Sequence, residues 1–323
     1  MMGEIAIPEN AYDIVIVGGG PGGLTAGLYA SRASLKVLLL EGNATVSQIT
    51  VTDIIENYPG LPDVTGQELV NKFKEQAVRF GLEIKSEQVD SIEGEKTGDL
   101  KGWKIVTGNS EYRTLSVIVA TGAAWRPLGV PGEKEFIGRG ISYCATCDAP
   151  FYRERDVVVV GGGDTAVQEA IFLTKFARKV TIIHRRNRLR ATGILQERAL
   201  ANEKIEFAWD SVIDEIVGDQ SGVTGVRIKN VKSPEKRSEI KAEGAFIFIG
   251  LDPITDLVKD LVKCDEGGYI IVDSDMRTSK EGIFACGDCI EKTLRQVVTA
   301  CGDGATAAHN AELYVDELKG QAY

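Results

Sequence analysis

The sequence predicts an α/β protein built on two Rossmann-like dinucleotide-binding modules. A strand run, a glycine-rich turn and a helical stretch follow one another twice along the chain. Each unit is followed by a second strand run, and the residues after the two turns carry opposite charge. In the first unit the run Tyr12–Val17 leads into Gly18-Gly19-Gly20-Pro21-Gly22-Gly23, a helix to about Arg32 and a strand over Lys36–Leu40. In the second, Asp156–Val160 leads into Gly161-Gly162-Gly163-Asp164-Thr165-Ala166, another helix and a strand over Val180–Ile183. A strand–turn–helix–strand succession of this kind opens a Rossmann module.

The glycine spacing has a physical reason. The first glycine permits the tight turn, the second lets the backbone approach a pyrophosphate, and the third residue must be small so that helix and strand can pack. Gly18, Gly20 and Gly23 fill these places in the first unit, and Gly161, Gly163 and Ala166 in the second. Each turn delivers phosphates to a helix N-terminus, where free N–H groups and the helix dipole favour anions. Pro21, Asp164 and Thr165 open the two helices.

The second strands then discriminate between nucleotides. Eighteen positions beyond Gly23 stands Glu41. An acid there accepts hydrogen bonds from an adenosine ribose and repels a 2′-phosphate. Eighteen positions beyond Ala166 stands His184, followed by Arg185, Arg186 and Arg190. Such a cluster suits a 2′-phosphate, which arginine binds in a bidentate fork. The first module is expected to hold FAD or NAD, the second NADP(H).

Between the modules lie an amphipathic helix pattern over Gly66–Phe80 and strand candidates Trp103–Thr107 and Ser116–Ala120. After the second come strand candidates Ile205–Trp209, Val223–Lys229 and Ala245–Gly250, with Asn230–Ile240 reading as a charged hairpin loop. A strand over Ile283–Cys286, a Gly-Asp turn and a helix from about Gln296 to Glu317 close the chain. No low-complexity linker is present, so the domain boundaries are expected in short connections near 123–128 and 250–254.

Length and charge narrow the function. A chain of 323 residues, 43% hydrophobic and 26% charged, suits two soluble domains. The net charge of −10 disfavours nucleic acid and anionic membranes as partners. No apolar run reaches membrane-spanning length, and Met1 to Asn10 does not resemble a signal peptide. A cytoplasmic location is expected, and there the six cysteines are not expected to form structural disulfides.

Two C-x-x-C pairs occur, Cys144-Ala145-Thr146-Cys147 and Cys286-Gly287-Asp288-Cys289. They flank a whole dinucleotide module, unlike the 15 to 20 residue spacing typical of zinc ribbons, so no metal is expected. Cys144/Cys147 is expected to be a redox pair, because the spacing lowers a thiolate pKa and allows a small disulfide ring. Asp148 follows directly as a candidate acid for thiolate protonation. Cys264, Cys289 and Cys301 read as inert.

These residues closely resemble the small bacterial and archaeal thioredoxin reductases, over nearly the whole chain. The most specific stretch is Gly140 to Asp148 with the glycine turn beyond it; His184-Arg185-Arg186 with Arg190 is similar to the family's NADPH signature. Ala120-Thr121-Gly122 resembles its first crossing between domains. Gly282 to Asp288 resembles the strand whose aspartate contacts the FAD ribityl chain, and Arg295-Gln296-Val297 the segment beside the flavin ring. Gln48 and Glu56 to Gly60, with Asn57, match flavin-contacting positions.

The resemblance implies a homodimer with an NADPH domain, which carries the redox pair, inserted in the FAD domain. The implied segments are 1–124 and 253–323 for FAD and 125–252 for NADPH. It also implies that Cys147 faces the flavin, Cys144 attacks the partner disulfide and Asp148 is the acid. The partner is then thioredoxin or a thioredoxin-like dithiol protein. One disulfide must meet both a flavin and a protein, so the NADPH domain is expected to rotate against the FAD domain. An oxidase passing electrons to oxygen, and a redox-regulated binding protein, are the rival readings. One departure stands out: the family carries Gly-Gly before the equivalent of Gln48, where this chain has Val46-Ser47. Valine disfavours positive φ, which predicts another path for that loop.

Overall fold

The structure, a computed structural model, describes residues 10–42, 48–50, 55, 57–61, 64–98 and 100–321, with the backbone alone for Thr97 and Cys147. Glu56, Val46 and Ser47 lie outside the described residues, and so does the departure in the Gln48 loop. The chain divides into two compact units. One comprises Met1–Ala124 and Asp252–Tyr323, the other Trp125–Leu251.

The first unit opens with β1 (Tyr12–Val17), α1 (Pro21–Arg32) and β2 (Val37–Leu40), then α2 (Gly66–Arg79). Thr65 caps α2: its Oγ1 accepts from Glu68 N at 3.2 Å, and its own N donates to Glu68 Oε2 at 3.1 Å. Next come β3 (Glu83–Lys85), β4 (Val89–Thr97), β5 (Leu100–Thr107), β6 (Glu111–Val119) and β7 (Ala123–Trp125).

The second unit contributes β8 (Ile141–Ser142), α3 (Ala145–Asp148), a 3-10 turn over Ala149–Tyr152, β9 (Asp156–Gly161), α4 (Asp164–Leu173), β10 (Lys179–Ile183), α5 (Gly193–Leu200) and β11 (Ile205–Ala208). It continues with β12 (Ser211–Asp219), β13 (Gly222–Asn230), β14 (Arg237–Lys241) and β15 (Gly244–Phe248). The chain then returns through β16 (Leu251–Pro253), β17 (Ile283–Ala285), a 3-10 turn over Gly287–Cys289 and α6 (Val297–Lys319). Gly320, left-handed at φ 69°, ends α6. Strands β7 and β16 pair as a two-stranded ribbon.

In the first unit the sheet order is β3-β2-β1-β6-β5-β4. Strands β3, β2, β1 and β6 run parallel. Strand β6 changes partner along one edge. Glu111–Thr114 pair antiparallel with β5, and Val117–Val119 pair parallel with β17. Period-2 alternation sorts the strands onto two cores. Ile14, Ile16 and Leu39 face α1 and α6, whereas Val15, Val17, Leu38 and Leu40 face the opposite cluster with Val258 and Ile270. Helices α1 and α6 meet closely, since a Cβ on Gly304 would run into the carbonyl oxygen of Gly22.

The second unit repeats the plan with a parallel sheet of order β11-β10-β9-β15-β8. An antiparallel sheet β12-β13-β14 adds to it. The hairpin expected over Asn230–Ile240 is shorter than the sequence suggests. Only residues 231–236 form the connection, and β13 and β14 flank it.

Candidate functional site

Gly18 is left-handed at φ 118°, and a Cβ there would strike the carbonyl oxygen of Ala120. A Cβ on Gly23 would strike the carbonyl of Gly18 itself. These two glycines are demanded by the protein's own packing. At Gly20 a Cβ would meet nothing within 4 Å, so the backbone there borders open space at the N-terminus of α1, which Pro21 begins. The second turn matches it point for point. Gly161 has φ 149°, and a Cβ would meet the carbonyl oxygen of Phe248 and the Ala166 Cβ; Gly163 borders open space at the N-terminus of α4.

Glu41 lies at the end of β2 against the first turn, 2.5 Å from where a Gly19 Cβ would stand. Lys74 of α2 grips its carboxylate at 2.8 and 3.0 Å, and Ser86 Oγ donates to it at 3.4 Å. The amphipathic pattern of α2 gave no sign that Lys74 reaches this acid.

The remaining expected residues of the first unit are held by contacts within that unit, and Gly287 lies against Gly22 of the turn. Gln48 Nε2 donates to Ala123 O at 2.5 Å, and Asn57 Nδ2 donates to Gln296 Oε1 at 2.8 Å across 239 positions of sequence. Thr121 Oγ1 donates to Ile254 O at 2.5 Å, next to Gly122 with φ 72°. Gly287, with φ 79°, donates its N–H to Asp303 Oδ2 at 3.3 Å. Asp288 Oδ1 is buried and has no hydrogen-bond partner among the described residues. Burial raises the Asp288 pKa, and Lys292 and Arg295 oppose that shift. Arg295 stacks on Tyr269, its Cζ 4.0 Å from the ring centre, and donates to the carbonyls of Lys292 and Ile290 at 3.0 and 3.2 Å. Val297 is the first residue of α6.

In the second unit the basic segment is laced to its glycine turn. Arg190 N and Ala191 N both donate to Gly162 O, at 2.6 and 3.1 Å, and Thr192 N donates to Asp164 Oδ1 at 2.6 Å. Arg185, Arg186 and Arg190 are exposed beside the turn, and so is Thr165, whereas His184 is buried. His184 Nε2 has no hydrogen-bond partner among the described residues. Its pKa is lowered by burial first, then by Arg190 and Arg186. The Trp209 ring meets the imidazole edge to face at 6.4 Å.

Both units fit the nucleotides the sequence suggests. Each offers an open cradle at its middle glycine and, at an expected site residue, a buried polar atom without a partner among the described residues, Asp288 Oδ1 in one and His184 Nε2 in the other. A pyrophosphate suits the cradle, because N–H groups of a helix start line it.

The redox segment begins where β8 ends. Ser142 Oγ accepts from Cys144 N and donates to Cys144 O, both at 3.0 Å, so one hydroxyl fixes the cysteine backbone. Cys144 is disulfide-bonded. Asp148 ends α3, the short helix that contains Cys147, and its N–H donates to Cys144 O at 3.3 Å. Tyr143 OH donates to Glu133 Oε1 at 2.7 Å, and the same buried carboxylate accepts from Leu128 N and Gly129 N. Glu133 was invisible as an anchor in the sequence.

The other C-x-x-C pair has a different character. Cys286 and Cys289 are free, fully buried thiols. Burial raises the pKa of both and keeps them protonated. Cys289 Sγ donates to Cys286 O at 3.3 Å. Cys264 and Cys301 are also free.

A sequence profile of the pyridine nucleotide-disulphide oxidoreductases matches residues 12–304. The chain belongs to this family. It is an oxidoreductase that uses FAD and NADPH. Among its relatives is a thioredoxin reductase of Peptoclostridium litorale, 50% identical over 96% of this chain and 99% of that protein. The thioredoxin reductase of Bacillus subtilis is 46% identical over 96% and 97% of the two chains. Among solved structures, Lactococcus lactis thioredoxin reductase superposes with a TM-score of 0.91 at 48% identity, covering 95% of this chain and all of that one. The T. acidophilum enzyme gives 0.88 at 35% identity, over 96% and 99%. No helix among the described residues is long and apolar enough to cross a membrane.

Proposed function

We propose that the protein is an NADPH-dependent thioredoxin-disulfide reductase acting through a Cys144–Cys147 disulfide. The observation that supports this most directly is the disulfide at Cys144, at the head of α3 and in the same unit as the basic nucleotide turn. The unit of residues 1–124 and 252–323 holds FAD, and the unit of residues 125–251 holds NADPH.

Bound NADPH and FAD supply a hydride and pass one electron pair to the disulfide. The protein's residues do the rest. Gly18, Gly20 and Gly23 seat the FAD pyrophosphate, Glu41 takes the adenosine ribose, and Gln48, Asn57, Thr121, Gly122, Gly287, Asp288, Arg295, Gln296 and Val297 enclose the remainder. Gly161, Gly163, Asp164, Thr165 and Ala166 seat NADPH, with His184, Arg185, Arg186 and Arg190 at its 2′-phosphate.

Two electrons and two protons convert the Cys144–Cys147 disulfide to a dithiol, with Asp148 handling a proton at the sulfur. The Cys144 thiolate then attacks a disulfide sulfur of the partner. Cys147 displaces the partner from the mixed disulfide, which restores the intramolecular bond and releases a reduced dithiol. A single disulfide that serves both flavin and partner calls for motion of one unit against the other. The protein works as a cytoplasmic homodimer, with thioredoxin or a thioredoxin-like protein as substrate.

The test is anaerobic reduction of the holoenzyme by NADPH, followed by assay against thioredoxin from the same organism. C147S is expected to keep FAD and accept hydride yet lose partner reduction, while C289S and C301S turn over normally. Full thioredoxin reduction by C147S refutes the proposal. Rapid oxygen consumption without thiol transfer supports the oxidase reading instead.

A further inference from the structure

Three charged side chains meet beneath the Gly287–Cys289 turn. Lys292 Nζ lies 2.7 Å from Asp303 Oδ2 and 3.5 Å from Asp288 Oδ1. The side chains of Lys292 and Asp303 are only 12% and 17% exposed. Burying an ammonium is costly unless it is paired, and here one cation is set between two carboxylates. Asp303, on α6, also accepts from Gly287 N, so a single carboxylate grips both the turn and the ammonium. The carbonyl of Lys292 accepts from Arg295. The other charged or titratable groups facing this cluster are Arg295, Cys286, Cys289 and Cys301.

We propose that Lys292 is a positioning residue of the FAD site, which holds Asp288 ionised and oriented toward the bound cofactor against the opposing charge of Asp303. This rests on the reading of Asp288 as a residue that faces FAD. The geometry supplies the reason. Asp288 Oδ1 is buried and has no hydrogen-bond partner among the described residues, and of the two cations that act on it, Lys292 and Arg295, Lys292 acts more strongly, its Nζ 3.5 Å away. Without that cation two half-buried carboxylates, 27% and 17% exposed, repel each other with only Arg295 to offset them. Like charges at short range cannot both remain ionised at low cost, so one takes up a proton or the turn opens.

The role separates from simple bracing through its pH profile. In wild-type holoenzyme, FAD release on dilution, followed by the rise in flavin fluorescence, is expected to vary little with pH across the neutral range, because Lys292 offsets the charge of the two carboxylates. In K292M it should be at least about tenfold faster at the alkaline end and slow again as acid protonates one of the two carboxylates. K292M/D303N removes the opposing charge and should restore slow, pH-independent release. K292R keeps the cation and should behave as wild type.

A K292M protein that releases FAD at the wild-type rate overturns the proposal. So does one that releases it faster to the same extent at every pH and is not rescued by D303N. If K292M purifies without flavin, retention by K292R and K292M/D303N supports the proposal, and loss from all three overturns it. D288N separates the two readings. If D288N releases FAD no faster than wild type, the assignment of Asp288 to FAD has failed. If D288N is fast while K292M is silent, only the role of Lys292 has failed.

Discussion

On the proposed function, the two arginines after β10 set the choice of nucleotide. A hydrogen bond to a charged group contributes roughly 1.5–3 kcal/mol. Two such contacts with a 2′-phosphate correspond to a preference for NADPH over NADH of very roughly 10² to 10⁴. R185A/R186A should erase most of this by raising the KM for NADPH, with NADH kinetics little changed. Stopped-flow reduction of the bound flavin by each nucleotide checks it, and equal behaviour of NADPH and NADH in the wild type contradicts it. His184 makes a separate prediction. Its pKa is held below the ordinary value of about 6.5, so the folded state binds fewer protons than the unfolded chain once the pH drops below that value. Stability from this group is therefore present above about pH 6.5 and lost as the pH falls through the lowered folded value. Without nucleotide, H184N should lose less stability than wild type between pH 7.5 and 5.5, read by denaturant titration; an identical acid loss contradicts the account. The sequence made the residue types legible at both turns, because backbone approach and charge dictate them. It did not reveal Lys74 on Glu41, Glu133 on Tyr143 or Lys292 between two aspartates, because those pairings depend on tertiary contact between distant segments.

Among elements, the two glycine turns make the sharpest contrast. G18A needs a left-handed alanine, and its Cβ would collide with the Ala120 carbonyl. It should cost more than about 2 kcal/mol and compromise folding. Gly20 has φ −78° and faces open space, so G20A should fold with stability within about 1 kcal/mol of wild type. It should nonetheless lose FAD, because the added methyl occupies the pyrophosphate's place. G163A should do the same for NADPH alone. Thermal unfolding alongside flavin content separates the two classes, and a G20A protein with normal flavin content would refute the cradle. The elements most legible in the sequence were the buried parallel strands, where both faces are apolar and runs such as Ile14–Val17 are continuous. Strands β4 and β12 are hard to read in the sequence because acids interrupt their apolar alternation, as at the exposed Asp90 and Glu93 in β4. β14 reads as loop in the sequence because it has one neighbour in its sheet and bears the charges typical of a protected edge.

For the whole molecule, the repeat of one module twice in a chain was the most informative feature, since it implies two nucleotides and hence electron transfer between them. The family match over residues 12–304 agrees with that inference. The central claim is that the electrons pass through the flavin to a disulfide. Anaerobic dithionite titration of the holoenzyme, followed at the flavin absorbance, tests it most directly, with alkylation of the products to locate the thiols. The account predicts about four electrons per flavin in the wild type, two for the flavin and two for the disulfide, with new thiols at Cys144 and Cys147. C147S should take up about two. Uptake of only two electrons by the wild type, four by C147S, or new thiols at any other cysteine would contradict it.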